Sequence, residues 1–208
     1  FLEIQNKNNL YFNSNNFTIE FWLYITEYID NSVIISQAQS QGLNNSSWSL
    51  GFGSNNISGK LVLLVSEDGN GWFNNENDTA TSSKISLNNW HYITVTRYNS
   101  NIKIYIDGIS NSSYYLPNNY KFYKSNKNIT IGSHYDGQNA QNIYKGYIDE
   151  LRITNGEAVY KNNFTVPNNI LNKLVYTGTR EIKDNYSFNG IDDYLNIPEN
   201  ISPNSSDT

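Results

Sequence analysis

The stretch FTIEFWLYI, residues 17 to 25, places Phe17, Ile19, Phe21, Leu23 and Ile25 at every second position, with Thr18, Glu20, Trp22 and Tyr24 between them. A strand sends successive side chains to opposite faces, whereas a helix returns to one face roughly every 3.6 residues, so this pattern describes a half-buried strand. The same period recurs in SWSLGF through Trp48, Leu50 and Phe52, and in KLVLLVS through Leu61, Leu63 and Val65. HYITVT repeats it through Ile93 and Val95, NIKIYIDG through Ile102, Ile104 and Ile106, and NITIGS and YIDELRI follow. Between these segments stand Asp68-Gly69-Asn70-Gly71, Asp107-Gly108, Asp136-Gly137 and Asn155-Gly156, which tolerate the positive φ angles of tight turns. No long stretch holds a helical period. Short strands at this spacing predict an all-β, antiparallel two-sheet sandwich.

Composition narrows the functional classes. The chain has 208 residues, 38% hydrophobic and 14% aromatic, with 17 Tyr and 4 Trp, enough for one well-filled core with aromatic contact surfaces. Its net charge of -5 comes without a Lys/Arg cluster, which argues against a nucleic-acid partner. No apolar run reaches the roughly 18 to 20 residues of a membrane-spanning helix, so membrane insertion is not expected. With 0 Cys, disulfides, thiolate metal sites and cysteine nucleophiles are excluded within this segment. A chain that opens on Phe and holds 0 Met is expected to be a piece of a longer protein.

The two ends echo one another. YLNI at Tyr194 to Ile197 resembles FLEI at Phe1 to Ile4, and each is followed by an Asn/Ser-rich stretch. The spacing of roughly 190 residues suits one sandwich domain and the start of another. The expected organisation is a β-sandwich over residues 1–167, a connector over 168–185, and the opening strand of a following repeat module over 186–208.

Four segments in order, FTIEFWLYI, NNWHYITVTRYNSNIKIYIDG, NITIGS and YKGYIDELRITNGEAVYKNNFTVP, resemble the laminin-G-like modules of the concanavalin A-like lectin/glucanase superfamily. The resemblance runs from Phe1 to about Pro167 and resumes near Phe188, where FNGIDDYLNIPEN is similar to the opening of such a module. It implies a jelly-roll of two antiparallel sheets. It also implies use in large surface proteins, adhesins and virion fibres, for binding more often than for catalysis.

Glucanases of this superfamily carry acids at alternate positions of one strand, flanking a glycosidic bond at separations of about 5 to 9 Å. Here Asp149 and Glu150 are adjacent, so regular alternation sends them to opposite faces. Asp149, with Tyr147, Leu151 and Ile153, is expected on the apolar face as a structural clamp that accepts bonds from loop amides. Glu150 and Arg152 are expected to form a weak solvated pair.

The candidate ligand-binding residues fall in two groups. Trp72, Phe73, Asn74 and Asn75 lie in the polar loop SEDGNGWFNNENDTATS, where Trp72 is either a folded-back plug or a displayed platform. Trp22, Tyr24, Tyr92 and Tyr105 should share the face opposite the core, open to a sugar ring or covered by loops or a neighbouring module. Asp68, Glu76 and Asp78 around Trp72 are candidate calcium ligands, although their spacing matches no fixed calcium loop. His91 and His134 lack metal-ligand spacing.

The expected function is that of a non-catalytic module of a larger repetitive protein, exposed extracellularly on a cell or virion surface, serving attachment or assembly. Its expected partners are a glycan or a surface protein, together with neighbouring modules of the same chain. The alternative is a glycoside hydrolase of the same superfamily with an unrecognised active site.

Overall fold

A computed structural model describes residues 1–6, 10–38, 44–135, 140–167 and 186–188. The described strands are β1 (Leu2–Ile4), β2 (Phe17–Ile25), β3 (Val33–Gln37), β4 (Trp48–Phe52), β5 (Leu61–Val65), β6 (Trp90–Tyr98) and β7 (Asn101–Ile106). They continue as β8 (Ile109–Tyr115), β9 (Ile129–Ile131), β10 (His134–Tyr135), β11 (Ala140–Gln141), β12 (Gly146–Asn155) and β13 (Tyr186–Phe188). A short α-helix, α1 (Glu76–Thr79), sits in the loop after β5.

The named strands pair antiparallel throughout. One sheet has five strands in the order β1-β9-β3-β4-β5, the other has six in the order β13-β12-β2-β6-β7-β8, and β10 and β11 form a separate two-stranded ribbon. The two large sheets face one another as the expected jelly-roll sandwich. The alternating residues do what their period requires: Phe17, Ile19, Phe21, Leu23 and Ile25 of β2 join Trp48, Leu50, Phe52, Leu61, Leu63, Val65, Ile93, Val95, Ile102 and Ile104 in one buried cluster. Stacked rings close one part of it, with Phe12 4.1 Å from Phe17 and 5.5 Å from Trp48.

The acid pair corrects a sequence expectation. A bulge between Asp149 and Arg152 breaks the alternation of β12, and Glu150 within it has φ 51°. Ile148 pairs with Leu23 and Ile153 with Ile19, so two residues five positions apart in sequence both meet core residues of β2, which an unbroken strand forbids. Asp149 instead falls opposite Trp22 on the outer face, where its Oδ1 accepts the Glu150 amide at 2.8 Å. Arg152 does not need Glu150: its Nε donates to Oε1 of Glu20 at 2.6 Å, and Glu20 is fully buried.

Residues 168–185, expected as a connector, lie outside the described residues, as does YLNI at 194–197. Within 186–208, β13 is described, and it pairs with β12 at the edge of the six-stranded sheet, Tyr147 opposite Ser187.

Candidate functional site

The sandwich has two outer faces, and the candidate residues divide between them. Trp22, Tyr24 and Tyr105 belong to the six-stranded sheet, whereas Trp72 stands over the outer face of the five-stranded sheet. They do not form one site.

On the six-stranded sheet, the segment after β12 folds back as a cover. Val159 donates its amide to Thr18 Oγ1 at 2.9 Å, and Phe164 donates its amide to the Gly108 carbonyl at 2.9 Å. Tyr160 stacks on Phe164 at 3.7 Å, and the Phe164 ring lies 5.5 Å from Tyr105 and 6.4 Å from Tyr92. Tyr105 and Tyr92 are consequently buried. Of the two readings open for this face, cover by a loop is the one realised at these two rings. Beneath the cover the Tyr92 hydroxyl donates to Glu20 Oε2 at 2.6 Å, and burial beside that carboxylate pushes the phenol far above its ordinary range. Trp22 is half-buried with its ring 5.1 Å from Tyr92. Tyr24 contacts Trp90 and Tyr147 at 5.5 Å each, and the latter two residues are 40% and 36% exposed.

The five-stranded sheet carries a groove of about 540 Å³ on its outer face. Its floor follows from the alternation of β4. With Trp48, Leu50 and Phe52 turned to the core, Ser49 and Gly51 face outward beside Val62 and Leu64 of β5. A Cβ at Gly51 would sit 2.3 Å from the Ser32 carbonyl oxygen, so only glycine allows β3 and β4 to approach this closely and leaves the floor open. His134 enters from beyond β9, its Nε2 3.2 Å from Ser49 Oγ. Burial lowers the pKa of this imidazole to about 4, so it is neutral near pH 7. Asn31 and Asn142 line one side, and Asn142 Nδ2 donates to the Asn31 carbonyl at 2.8 Å.

Trp72, Asn74, Asn75 and Glu76 make the other wall. The loop that carries them is fixed by side chains imitating a sixth strand along the free edge of β5. The Asn74 Oδ1 accepts the Val65 amide at 3.0 Å, while its Nδ2 donates to the Leu63 carbonyl at 2.8 Å. Thr79 Oγ1 accepts from Leu63 N at 3.1 Å and donates to its carbonyl at 2.7 Å, Thr81 Oγ1 accepts from Leu61 N at 3.1 Å, and Phe73 N donates to the Val65 carbonyl at 2.7 Å. An exposed edge is thereby sealed without a strand, and the loop that carries the half-buried Trp72 is tied to β5 immediately after it. Phe73 turns away, 45% exposed, and packs 4.9 Å from Tyr120.

The three candidate calcium ligands are occupied locally. Asp68 Oδ1 accepts the Asn70 amide at 2.8 Å, which lowers its pKa; Asp78 Oδ2 accepts the Asn75 amide at 2.8 Å; and Glu76 Oε2 accepts from Ser54 N at 3.3 Å. Among the described residues no three His, Asp or Glu side chains gather as a metal-binding group. Sequence reasoning missed Ser49, Gly51, His134, Asn31 and Asn142. The one usable signal was the outward parity of Ser49 and Gly51, because the others reach the groove only through long-range pairing.

Comparison with known proteins agrees with this architecture. A search of curated protein sequences finds no match. Among solved structures, a proposed carbohydrate-binding protein from Bacteroides ovatus superposes with a TM-score of 0.55 at 14% identity, over 75% of this chain and 41% of that one. Domain 4 of AbnA, a GH43 extracellular arabinanase from Geobacillus stearothermophilus in complex with arabinotriose, superposes with a TM-score of 0.51 at 18% identity, over 74% of this chain and 66% of that one. At these identities the likeness is one of fold, and the chain spans less than two thirds of either structure. A laminin-G family model matches residues 2–159, which covers both large sheets apart from β13. The chain therefore belongs to the concanavalin A-like lectin/glucanase superfamily.

Proposed function

We propose that the chain is a non-catalytic carbohydrate-binding module that takes a neutral glycan in the groove of the five-stranded sheet. The observation that carries this reading is the Trp72 wall: an aromatic residue on the loop that seals the edge of β5, lining a groove whose floor is Ser49, Gly51, Val62 and Leu64 and whose other side carries the amides of Asn31 and Asn142. An apolar platform with a few oriented polar groups suits a sugar ring, whose faces stack and whose hydroxyls bond. Among the described residues the groove is lined by no Lys or Arg, its His134 is neutral near pH 7, and Glu76 is its one carboxylate. Such a lining favours a neutral sugar over an acidic one. Among the described lining residues Glu76 has no second carboxylate of the kind glycosidic hydrolysis uses, which supports binding without cleavage. The two structural relatives described in terms of carbohydrate support the same class of ligand.

In the parent protein the module serves attachment, extracellularly or at a cell or virion surface, with further modules beside it. The test is affinity electrophoresis of the chain against neutral polysaccharides, arabinan included, with parallel measurement of released sugar. Retention without release is the expected result, and its loss in Trp72→Ala assigns it to the groove. Released product supports the hydrolase alternative, and no retention on any polysaccharide leaves assembly as the role.

A further inference from the structure

The inward positions of β6 run Ile93, Val95 and then Arg97, an arginine where the pattern calls for an apolar side chain. Arg97 pairs across the sheet with Phe17 and Ile102, both buried, and is itself 3% exposed. Its guanidinium lies 5.5 Å from the Phe122 ring. Nε donates to the Asn99 carbonyl at 2.9 Å, Nη1 to the Asn13 carbonyl at 3.1 Å and Nη2 to the Tyr120 carbonyl at 2.8 Å. Among the described residues no carboxylate forms an ion pair with it. Carbonyl dipoles replace part of the lost hydration, yet the charge stays uncompensated in a place where charges are ordinarily paired. Burial lowers its pKa in consequence.

This cation borders a basin of about 740 Å³, separate from the groove, lined also by Ser14, Asn15, Asn16, Asn118 and Asn119. Among the described residues no acidic side chain lines it, although the chain as a whole carries a net charge of -5. Hydroxyl and amide groups can donate to an anion, and the planar guanidinium fork matches a carboxylate or a sulfate. We propose that the basin is an oxyanion subsite, with Arg97 as its charged contact, for the carboxylate or sulfate group of an acidic saccharide. The proposal does not rest on the neutral-glycan groove. The competing reading is a structural staple in which Arg97 ties three loops together and binds nothing else.

Arg97→Gln removes the loop contacts as well as the charge, so the test uses the intact chain and Asn118→Asp. Asn118 is exposed, and an aspartate there keeps an acceptor for the Ser100 hydroxyl while adding a carboxylate that repels an incoming anion. Melting temperatures are measured against sodium sulfate, sodium glucuronate and sodium chloride at matched ionic strength, with glucose as the neutral control. Sulfate stabilises proteins non-specifically by exclusion from their surface, so a shift that saturates is the criterion. Sulfate or glucuronate is expected to give a saturable rise that chloride and glucose do not, weakened about tenfold or more in Asn118→Asp. A response to glucuronate alone assigns the subsite to carboxylates, and one to sulfate alone to sulfate esters. No saturable response to either, or a response that Asn118→Asp leaves intact, overturns the proposal and leaves Arg97 as a staple.

Discussion

The two outer faces of the sandwich invert what aromatic content alone suggests. The six-stranded sheet turns Trp22, Tyr24, Tyr92 and Tyr105 outward, and its centre is closed by Tyr160 and Phe164. The five-stranded sheet turns out Ser49, Gly51, Val62 and Leu64, and that face is the one left concave. Aromatic richness on a strand is a demand for burial, and the chain meets it with its own next segment. A single ring on a braced loop beside small residues borders an open groove, whereas Tyr92 and Tyr105 lie beneath Tyr160 and Phe164. The cover over Tyr92 and Tyr105, and not the number of rings, separates the two faces, since Trp22 and Tyr24 are half-buried as Trp72 is.

The lock beneath the cover offers the largest test of this contrast. Glu20 is 0% exposed and relies on Arg152 and the Tyr92 hydroxyl. Arg152→Ala strands a buried carboxylate and is expected to destabilise by about 3 kcal/mol, read from urea melts. Glu20→Gln, which keeps shape and removes the charge, should cost less. If Arg152→Ala costs under about 1 kcal/mol, the cover is held by ring stacking alone and the ion pair is incidental.

The open face predicts a pH dependence. His134 titrates near its ordinary 6.5 when unfolded and at about 4 in the fold, because burial opposes its charge. A depressed folded value means the unfolded chain takes up the proton first. The stability this group contributes is complete above pH 6.5 and is lost as the pH falls toward about 4, an amount of order 3 kcal/mol. His134→Gln should flatten that slope in melting temperature between pH 6.5 and 4. An unchanged slope would mean that the imidazole is solvated and that the groove floor is wetter than its burial implies.

Trp72 bears on the face where function is proposed. Trp72→Ala is expected to weaken glycan binding by about 2 kcal/mol, the scale of a stacking anchor. Because the ring is half-buried and the loop is held by Asn74, Thr79 and Thr81, the fold should lose no more than about 1 kcal/mol. Calorimetric titration and thermal melts on the same variant separate the two effects. Strong destabilisation would make the ring a plug and dissolve the contrast between the faces.

The fold was legible because alternation is a local property. Phe17 to Ile25 and Trp48 to Phe52 state their buried face without reference to partners. What alternation conceals is a change of phase. The bulges between Val33 and Ile35 and between Asp149 and Arg152 each insert a residue, and nothing in YIDELRI marks where the parity shifts. The Trp72 wall was visible as an aromatic in a polar, glycine-rich loop. The rest of the groove was not, since Asn31, Gly51, His134 and Asn142 meet only after β3 has paired with β4 and β9. That a loop covers the aromatic face was among the readings, but which segment does so was not legible: Tyr160 and Phe164 lie in a segment with no period, and their contacts are with strands distant in the chain.

The smallest expected effect comes from the bulge that joins these arguments, since it is what delivers Arg152 to Glu20 on the covered face. Glu150 occupies φ 51°, a region where a side chain bearing a Cβ is strained and glycine is not. Glu150→Gly keeps the bulge and relieves the strain, but it adds backbone freedom to the unfolded chain. The two contributions are each about 1 kcal/mol and oppose one another, so the net change should stay within about 0.5 kcal/mol of zero. Asp149→Ala works on the same bulge with one sign only. It removes the Oδ1 acceptor of the Glu150 amide and should destabilise by about 1 kcal/mol. Paired melts therefore read the bulge directly. A Glu150→Gly loss as large as that of Arg152→Ala would mean that the glycine lets β12 return to regular alternation, taking Arg152 away from Glu20 and opening the covered face.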